Sequence, residues 1–425
     1  MPHFSQKQVL ILIGVAVVLL GVVFLIFSNL KSDDAPPAVS LTVWGIEDKE
    51  VMETSLDGYG AFRPNVTITY TQWPAESYEE ELLDALAAGR GPDIYMLPNR
   101  SVSRQLDRLA PAPASQLTYG QLRDYFPQAV EQDFVRSGDI YALPLYLDTL
   151  ALFYNRDMFD QAALTAPPRT WQELQSFIPY LRRINAQGQV EQAAAAIGGT
   201  ELTVAHAADI LALLMLQNGA TITDTAKGAA LFAEENGVQA FDFYLQFANP
   251  AADAFTWSES MPRSLDAFLN NRAALVFGYA RDAAALKARS PFLNMGIAAM
   301  PQVYPEQAVN FPDYWGLAVS RQSQAAAWAW DYVIFAATNL PTAQAYATAT
   351  ARPPALKTLI GQMVNDDKLG VFVRQALTAR SFPDPDEKRT VDSLNSAIGA
   401  ALSGQLGTEA ALRRAQDQIT QNFRR

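Results

Sequence analysis

Residues 65–97 read NVTITYTQWPAESYEEELLDALAAGRGPDIYML, and the change of period within this stretch decides the fold class. From Asn65 to Gln72 apolar and polar residues alternate and β-branched types dominate, which is the pattern of a half-buried strand. Leu82, Leu83 and Leu86 then recur at helical spacing. Ser77 and Glu80 fit the S-x-x-E capping box at the helix start, and Gly89 and Gly91 end the helix. Asp93 to Leu97 is a second apolar strand. Upstream, Leu41-Thr42-Val43-Trp44 is another short strand. Residues 41–97 therefore predict β-α-β-α-β, an open parallel sheet with crossover helices in an α/β fold. Ligands of such sheets sit beyond the carboxyl ends of the strands, so the loops after Trp44, Thr71 and Leu97 mark a prospective site.

The alternation continues downstream. Leu150 to Tyr154 is an apolar run followed by Asn155-Arg156-Asp157. PPRTWQEL at 167–174 opens a helix with Thr170 as its N-cap and Glu173 as the capping-box partner. Residues 200–298 read as mainly helical, with His206 to Gln217 strongly periodic. A proline-rich loop runs from Pro301 to Pro312. A strand follows over Trp315–Ser320, then an alanine-rich helix over 323–338. Arg352-Pro353-Pro354 interrupts, and two or three helices close the chain.

The composition narrows the chemistry. The chain has 425 residues, which predicts two or three domains. Hydrophobic residues make up 49% and charged ones 18%, enough for packed cores. The net charge of −12 opposes nucleic-acid binding. There is no cysteine, and the only histidines are His3 and His206. Disulfides, thiolate nucleophiles, Cys/His zinc sites and iron–sulfur clusters are thereby excluded. No GxxxxGK[ST] loop is present, so the chain is not an ATPase. Carboxylate chemistry or binding without chemistry remains.

Val9 to Phe27, VLILIGVAVVLLGVVFLIF, holds 19 residues and no polar one. As a helix it would span ~28 Å, close to the ~30 Å hydrocarbon core of a bilayer. It is longer than the usual h-region of a signal peptide, and no small-x-small triplet follows before Ala35. We read residues 1–38 as an uncleaved single-pass transmembrane anchor and linker, with the body extracytoplasmic.

The order of motifs resembles the extracellular solute-binding proteins of ABC importers, in the carbohydrate-binding family that includes maltose-binding protein. The resemblance runs from Leu41 to Ile419. It is carried by LTVWGIEDK (41–49), ELLDALAAGRGPDIYML (81–97), GDIYALPLYLDTLALFYNRDMF (138–159), PPRTWQEL (167–174), SLDAFLNNRAALVFGYAR (264–281) and ALSGQLGTEAALRRAQDQI (401–419). Asn271 stands where the family often has glycine, Leu275 replaces a usual methionine, and the lipobox cysteine is missing. The resemblance implies a two-lobed periplasmic-binding-protein fold of type II that closes on a ligand. It places the N-lobe at 39–146 plus 303–350 and the C-lobe at 147–300 plus 351–425. The crossovers fall near Pro144, near Pro301 to Pro312 and near Arg352-Pro353.

The same resemblance points to a mono- or oligosaccharide ligand and to ABC permease subunits as partners of a monomer. A sugar offers an apolar face and many hydroxyls, which suits aromatic platforms and planar polar side chains. Trp44, Trp73, Trp257 and Trp315, all at strand ends or in loops, are the aromatic candidates. Trp171, Trp328 and Trp330 are assigned to the core. By resemblance Asp48 and Lys49, Asp148, Asn99 and Arg100, and Tyr279 and Arg281 stand at ligand-contact positions, with Asp313 as a further candidate. Tyr154, Asn155 and His206 are read as structural. No catalytic residue, metal or cofactor is assigned. A glycosidase would need a carboxylate pair, for which Asp48 with Asp148 is the available choice. A ligand sensor or protein-interaction receptor on the same fold, without transport, stays open.

Overall fold

A computed structural model describes residues 37–384 and 386–423. The apolar segment 9–27 lies outside the described residues. Among the described residues no helix is long and apolar enough to cross a membrane.

The opening is β1 (Val39–Gly45), α1 (Lys49–Phe62), β2 (Val66–Gln72), α2 (Ala75–Ala87) and β3 (Ile94–Pro98). β1 lies between β2 and β3 and is parallel to both, with Val43 opposite Tyr70 on one side and Ile94 on the other. On α2, Tyr78, Leu82 and Leu86 are buried at i, i+4 and i+8, so the stripe extends one turn earlier than the leucines suggested. The helix also begins earlier than expected. Pro74 is its N-cap, which leaves Ser77 inside the first turn and no capping box at Ser77 and Glu80. Proline fixes φ near −65° and needs no N–H partner, so it starts a helix without help from a serine. Gly89 takes φ +67° at the other end, and Arg90 N–H returns to Ala85 O at 2.9 Å.

Further along come β4 (Leu109–Ala110), β5 (Ala142–Pro144), β6 (Asp148–Thr149), β7 (Ala151–Asn155), β8 (Arg183–Ile184), β9 (Val190–Ala195) and α3 (Ala207–Gln217). They are followed by β10 (Ala273–Gly278), α4 (Ala280–Arg289), β11 (Met295–Ala298), β12 (Pro312–Asp313) and β13 (Trp315–Ser320). α5 (Glu387–Leu402) and α6 (Thr408–Asn422) close the described chain. β13 runs antiparallel to β3 and is flanked by β4 and β5, completing a six-stranded sheet. The second sheet has the order β8-β9-β10-β7-β11. Two of its strands come from 200–298, a region that is therefore less helical than its sequence pattern suggested. At Thr170 the hydroxyl accepts Glu173 N–H at 3.0 Å, but the Glu173 carboxylate reaches back to Arg169 N–H rather than to Thr170.

Each sheet carries its own core. The first gathers Val43, Ile94, Leu97, Leu317 and Trp330, and the second Leu152, Phe153, Leu211, Val276 and Ile398. Between them β6 and β12 pair antiparallel, with Asp148 opposite Asp313. A third strand of chain joins them where Leu147 N–H meets Pro353 O at 3.0 Å. Beyond Pro353, Leu356, Leu359 and Ile360 still pack in the first core. The expected second-lobe span 351–425 includes these residues, whose apolar face is buried with the first core.

Candidate functional site

The carboxyl ends of β1, β2 and β3 and the start of the antiparallel β13 share one edge of the first sheet. This edge brings together Trp44, Trp73 and Trp315. Trp44 and Trp73 rings lie 4.9 Å apart, and Tyr78 of α2 sits 5.8 Å from Trp315. The Tyr78 hydroxyl donates to Met96 O at 2.7 Å and approaches Trp44 O at 3.2 Å, tying the group to the strand ends. The three indoles are half-buried, each with an open part. Asp48 and Lys49 are exposed on the same edge. Gln72 joins them, donating to Asp48 Oδ1 at 3.0 Å and accepting Lys49 N–H at 3.2 Å.

The facing wall is built from helix starts of the second lobe. Tyr279, Ala280 and Arg281 open α4, His206 and Asp209 open α3, and Asp384 and Glu387 lie at the start of α5. α4 is fastened to both crossover strands. Ala280 N–H donates to the two carboxylate oxygens of Asp148 at 3.1 and 2.9 Å, and Arg281 forms an ion pair with Asp313. Tyr279 is fully buried, its hydroxyl donating to Asp209 at 2.8 Å. Its ring underlies the Arg281 guanidinium at 4.6 Å. His206 Nε2 sits 2.8 Å from Asp282. Burial alone would depress the His206 pKa, but the Asp282 carboxylate outweighs it and the net shift is upward.

Arg100 joins the two walls. It leaves the end of β3 and is only 3% exposed. Its guanidinium lies 5.2 Å from the Phe311 ring and 5.3 Å from Phe382, both in the second lobe. It pairs with Glu387 at 2.5 Å and approaches Asp209 at 3.9 Å. Between the walls lies a pocket of about 250 Å³, lined by Tyr78, Pro98, Gln105 and Trp315 on one side and Asp384 and Glu387 on the other.

Five of the expected contacts are buried and held within the fold: Asp148 and Tyr279 as described above, and Trp257, Asn99 and Arg100. Trp257 is 0% exposed inside the second core, with Nε1 donating to Thr203 Oγ1 at 3.1 Å. The polar residues around it face inward to satisfy backbone, as when Thr256 Oγ1 accepts Ala194 N–H at 2.7 Å. Asn99 is buried with its amide donating to Asp133 at 2.8 Å. Arg100 spends its charge on acids of the second lobe. Tyr78, Gln105, Asp209, Asp384 and Glu387 are the residues that sequence reasoning missed. Tyr78 had a signal, since it extends the Leu82–Leu86 stripe by one turn. The others had none, because segments far apart in the chain bring them together only in the fold. Among the described residues no group of three or more His, Cys, Asp or Glu could hold a metal ion.

The Asp148 carboxyl is pushed up to about 7 by burial, against the pull of Arg281 and of the Ala280 and Thr149 N–H groups. In an unfolded chain the group titrates near ~3.9. A raised folded pKa means the native state holds the proton more tightly. Its stabilisation is full below about pH 4 and is lost as pH rises through about 7. Glu387, also raised to about 7 by burial against Arg100, adds to the same slope. Chemical denaturation should show stability falling between about pH 4 and 7, and Asp148→Asn should reduce the slope. An unchanged slope in the variant would assign it to other groups.

Comparisons with known proteins agree with this architecture. The family described as "Bacterial extracellular solute-binding protein" matches residues 57–369. A maltotriose-binding protein of Pyrococcus abyssi is 26% identical over 125 residues, which is 29% of this chain and 26% of that protein. A putative binding protein of Brucella abortus is 23% identical over 118 residues, 28% of this chain and 29% of its own length. The chain thus matches under a third of the length of these curated relatives. Solved structures match almost throughout. The cyclic α-maltosyl-1,6-maltose binding protein of Arthrobacter globiformis gives a TM-score of 0.77 at 17% identity, covering 91% of this chain and 99% of that one. The sugar-binding protein MalE of Xanthomonas citri gives 0.75 at 18% identity, covering 91% and 97%. Such identities speak for the two-lobed fold alone, while the family match spans more than half of the 425 residues. With two α/β lobes, paired crossover strands and a cleft between them, the chain belongs to the bacterial extracellular solute-binding protein family, a family of binding proteins and not of enzymes.

Proposed function

We propose that the cleft captures a carbohydrate and delivers it to the permease of an ABC importer, with residues 9–27 tethering an extracytoplasmic, monomeric body to the membrane. The observation that carries the carbohydrate reading is the aromatic edge formed by Trp44, Trp73, Tyr78 and Trp315. The half-buried indoles of Trp44, Trp73 and Trp315, with the buried Tyr78 ring behind them, are rigid platforms for the apolar faces of sugars and need little ordering on binding. Asp48, Lys49 and Gln72 beside them supply hydroxyl partners. The maltotriose- and maltose-related ligands named for the similar proteins support the same class. We take the lobes as 39–146 plus 314–362 and 147–311 plus 380–423, joined by β6, β12 and the chain around Pro353, with residues 363–379 packed on both cores. Closure follows from a better fit of the ligand to the closed state.

A thermal-shift screen of sugars, polyols, amino acids, peptides and metals tests this reading, since a ligand of the folded state raises Tm by mass action. A shift by saccharides is expected. Shifts by a peptide or metal with none by saccharides would end the carbohydrate reading. Trp73→Ala and Trp315→Ala should each weaken the binding of that saccharide by ~1–3 kcal/mol with the fold intact. Unchanged affinity in both would remove the aromatic assignment. Fractionation of cells should find the chain with membranes, and deleting residues 9–27 should release it.

A further inference from the structure

We propose that the first lobe docks on the lipid bilayer through the turn between α1 and β2, with the Phe62 ring seated in the headgroup layer. The proposal rests on the membrane tether proposed above and adds the surface that meets the membrane.

The chain enters the first lobe beside this ring. Asn65 Nδ2 donates to Pro37 O at 3.1 Å, and Val39 N–H donates to Asn65 O at 2.9 Å. Phe62 closes α1 three residues before Asn65. Only residues 28–36 separate Pro37 from the apolar run 9–27. Fully extended, a segment of that length reaches at most about 30 Å. With residues 9–27 in the bilayer, the turn stays within about that distance of the hydrocarbon.

Phe62 is 53% exposed, the most open large apolar side chain of the first lobe among the described residues. The ring is nevertheless fixed. It stacks on Phe335 with centroids 5.4 Å apart and planes at 19°, and the Arg63 guanidinium lies 4.3 Å from its centre. Arg63 is held in turn by Asp331 at 2.9 Å. A ring held open to solvent in this way loses little freedom on docking.

The surroundings of the ring are poor in charge. Ala61 and Pro64 are exposed, and a side chain at Gly60 would meet nothing within 4 Å. Residues 332–351 supply Phe335 and the helix Leu340–Thr350, whose Thr342 lies against Gly58 of α1. That stretch holds no charged residue, in a chain that is 18% charged. Asp57, five residues back on α1, is the exposed acid next along the helix. An aromatic ring beside an arginine suits the interface, where rings sit at headgroup level and guanidinium groups meet phosphate. One ring and its rim fall well short of the ~800 Å² per partner of a stable protein interface. They suffice for a tethered surface, because a short linker supplies an effective concentration on the order of mM. Small membrane anchors bind marginally and reversibly, so the lobe can leave the bilayer to deliver its ligand.

The chain has no cysteine, so single labels test this on the full-length protein. Ala61→Cys carries an environment-sensitive fluorophore in phosphatidylcholine vesicles, and Phe292→Cys, at a 99% exposed ring of the second lobe, is the control. The label at 61 is expected to shift to the blue and to be quenched by phosphatidylcholine spin-labelled just below the headgroup, with neither effect at 292. Adding Phe62→Ser should abolish both effects and leave the unfolding midpoint unchanged. Lengthening the linker with Gly-Ser residues should weaken them only modestly, because effective concentration falls slowly with length. Quenching that disappears with the longer linker would overturn the docking and assign the proximity to the tether alone. Quenching untouched by Phe62→Ser would overturn the role of the ring. A label shifted to the blue but unquenched would overturn the lipid as partner, in favour of the linker or a second copy of the chain. A chain that fails to float with the vesicles would overturn the tether and the docking together, while saccharide calorimetry on the same protein still decides the carbohydrate reading.

Discussion

Replacing Arg100 by methionine is expected to cost about 3–5 kcal/mol, because it strands part-buried carboxylates without a counter-ion. Arg100 starts in the first lobe and ends in the second, between Phe311 and Phe382 and against Glu387 and Asp209. Methionine keeps much of the volume and the contact with both rings, so the charge is what is lost. The lower end of the range is the better figure, since the Glu387 side chain keeps 37% exposure and water can answer part of its demand. The stranded acids belong to the other lobe, which opens a second route of relief. Separating the lobes hydrates Glu387 and Asp209 while each core stays folded. Arg100→Met should therefore enlarge the unliganded radius of gyration in small-angle scattering and lower ligand affinity, with a smaller fall in the unfolding midpoint. Adding Glu387→Gln should recover part of the loss, because the acid that needed the arginine is then neutral. A variant with unchanged scattering and unchanged stability would show that this ion pair does not hold the lobes together.

The same residue shows where sequence reading stops. The elements β1 to β3 were legible because their signals are local, a period of two against a period of 3.6 within 33 residues. That they form one parallel sheet also followed from the alternation of strand and helix, whereas their order β2-β1-β3 was not read from the sequence. β13 was legible as a strand, but its antiparallel place beside β3 is set by residues over 200 positions later, which no local pattern carries. Arg100 was visible as a charge at a strand end, hence its reading as a ligand contact. Its partner Glu387 lies 287 residues away. The helix start at Pro74 was misplaced because the S-x-x-E signal at Ser77 is real chemistry at a position where the preceding proline had already begun the helix. Tryptophans were the hardest case. A loop tryptophan looks the same in sequence whether its ring faces a ligand or a core.

Trp257→Ala is the test of that difference, and it should destabilise the protein by about 3–5 kcal/mol. The indole is fully enclosed in the second core. Its Nε1–H donates to Thr203 Oγ1 at 3.1 Å, and a Cβ placed on Gly199 would fall 2.9 Å from its ring. Backbone and side chains close in from several segments, so the site has little freedom to collapse when the ring is removed. The cost combines lost transfer energy, an unfilled cavity and a hydroxyl without its donor. Trp257→Phe separates these terms. It keeps most of the volume and loses the N–H, so a smaller cost of about 1–2 kcal/mol is expected. Trp315→Ala should behave in the opposite way, with little change in denaturation and a clear loss of sugar affinity, because its ring is half-open at the edge of the first sheet. Denaturation curves and calorimetry on the three variants decide the matter. A stable Trp257→Ala that binds sugar poorly would return Trp257 to the cleft and take the second-lobe packing with it. An unstable one whose folded fraction binds normally places the ring in the core, where its hydrogen bond to Thr203 holds it.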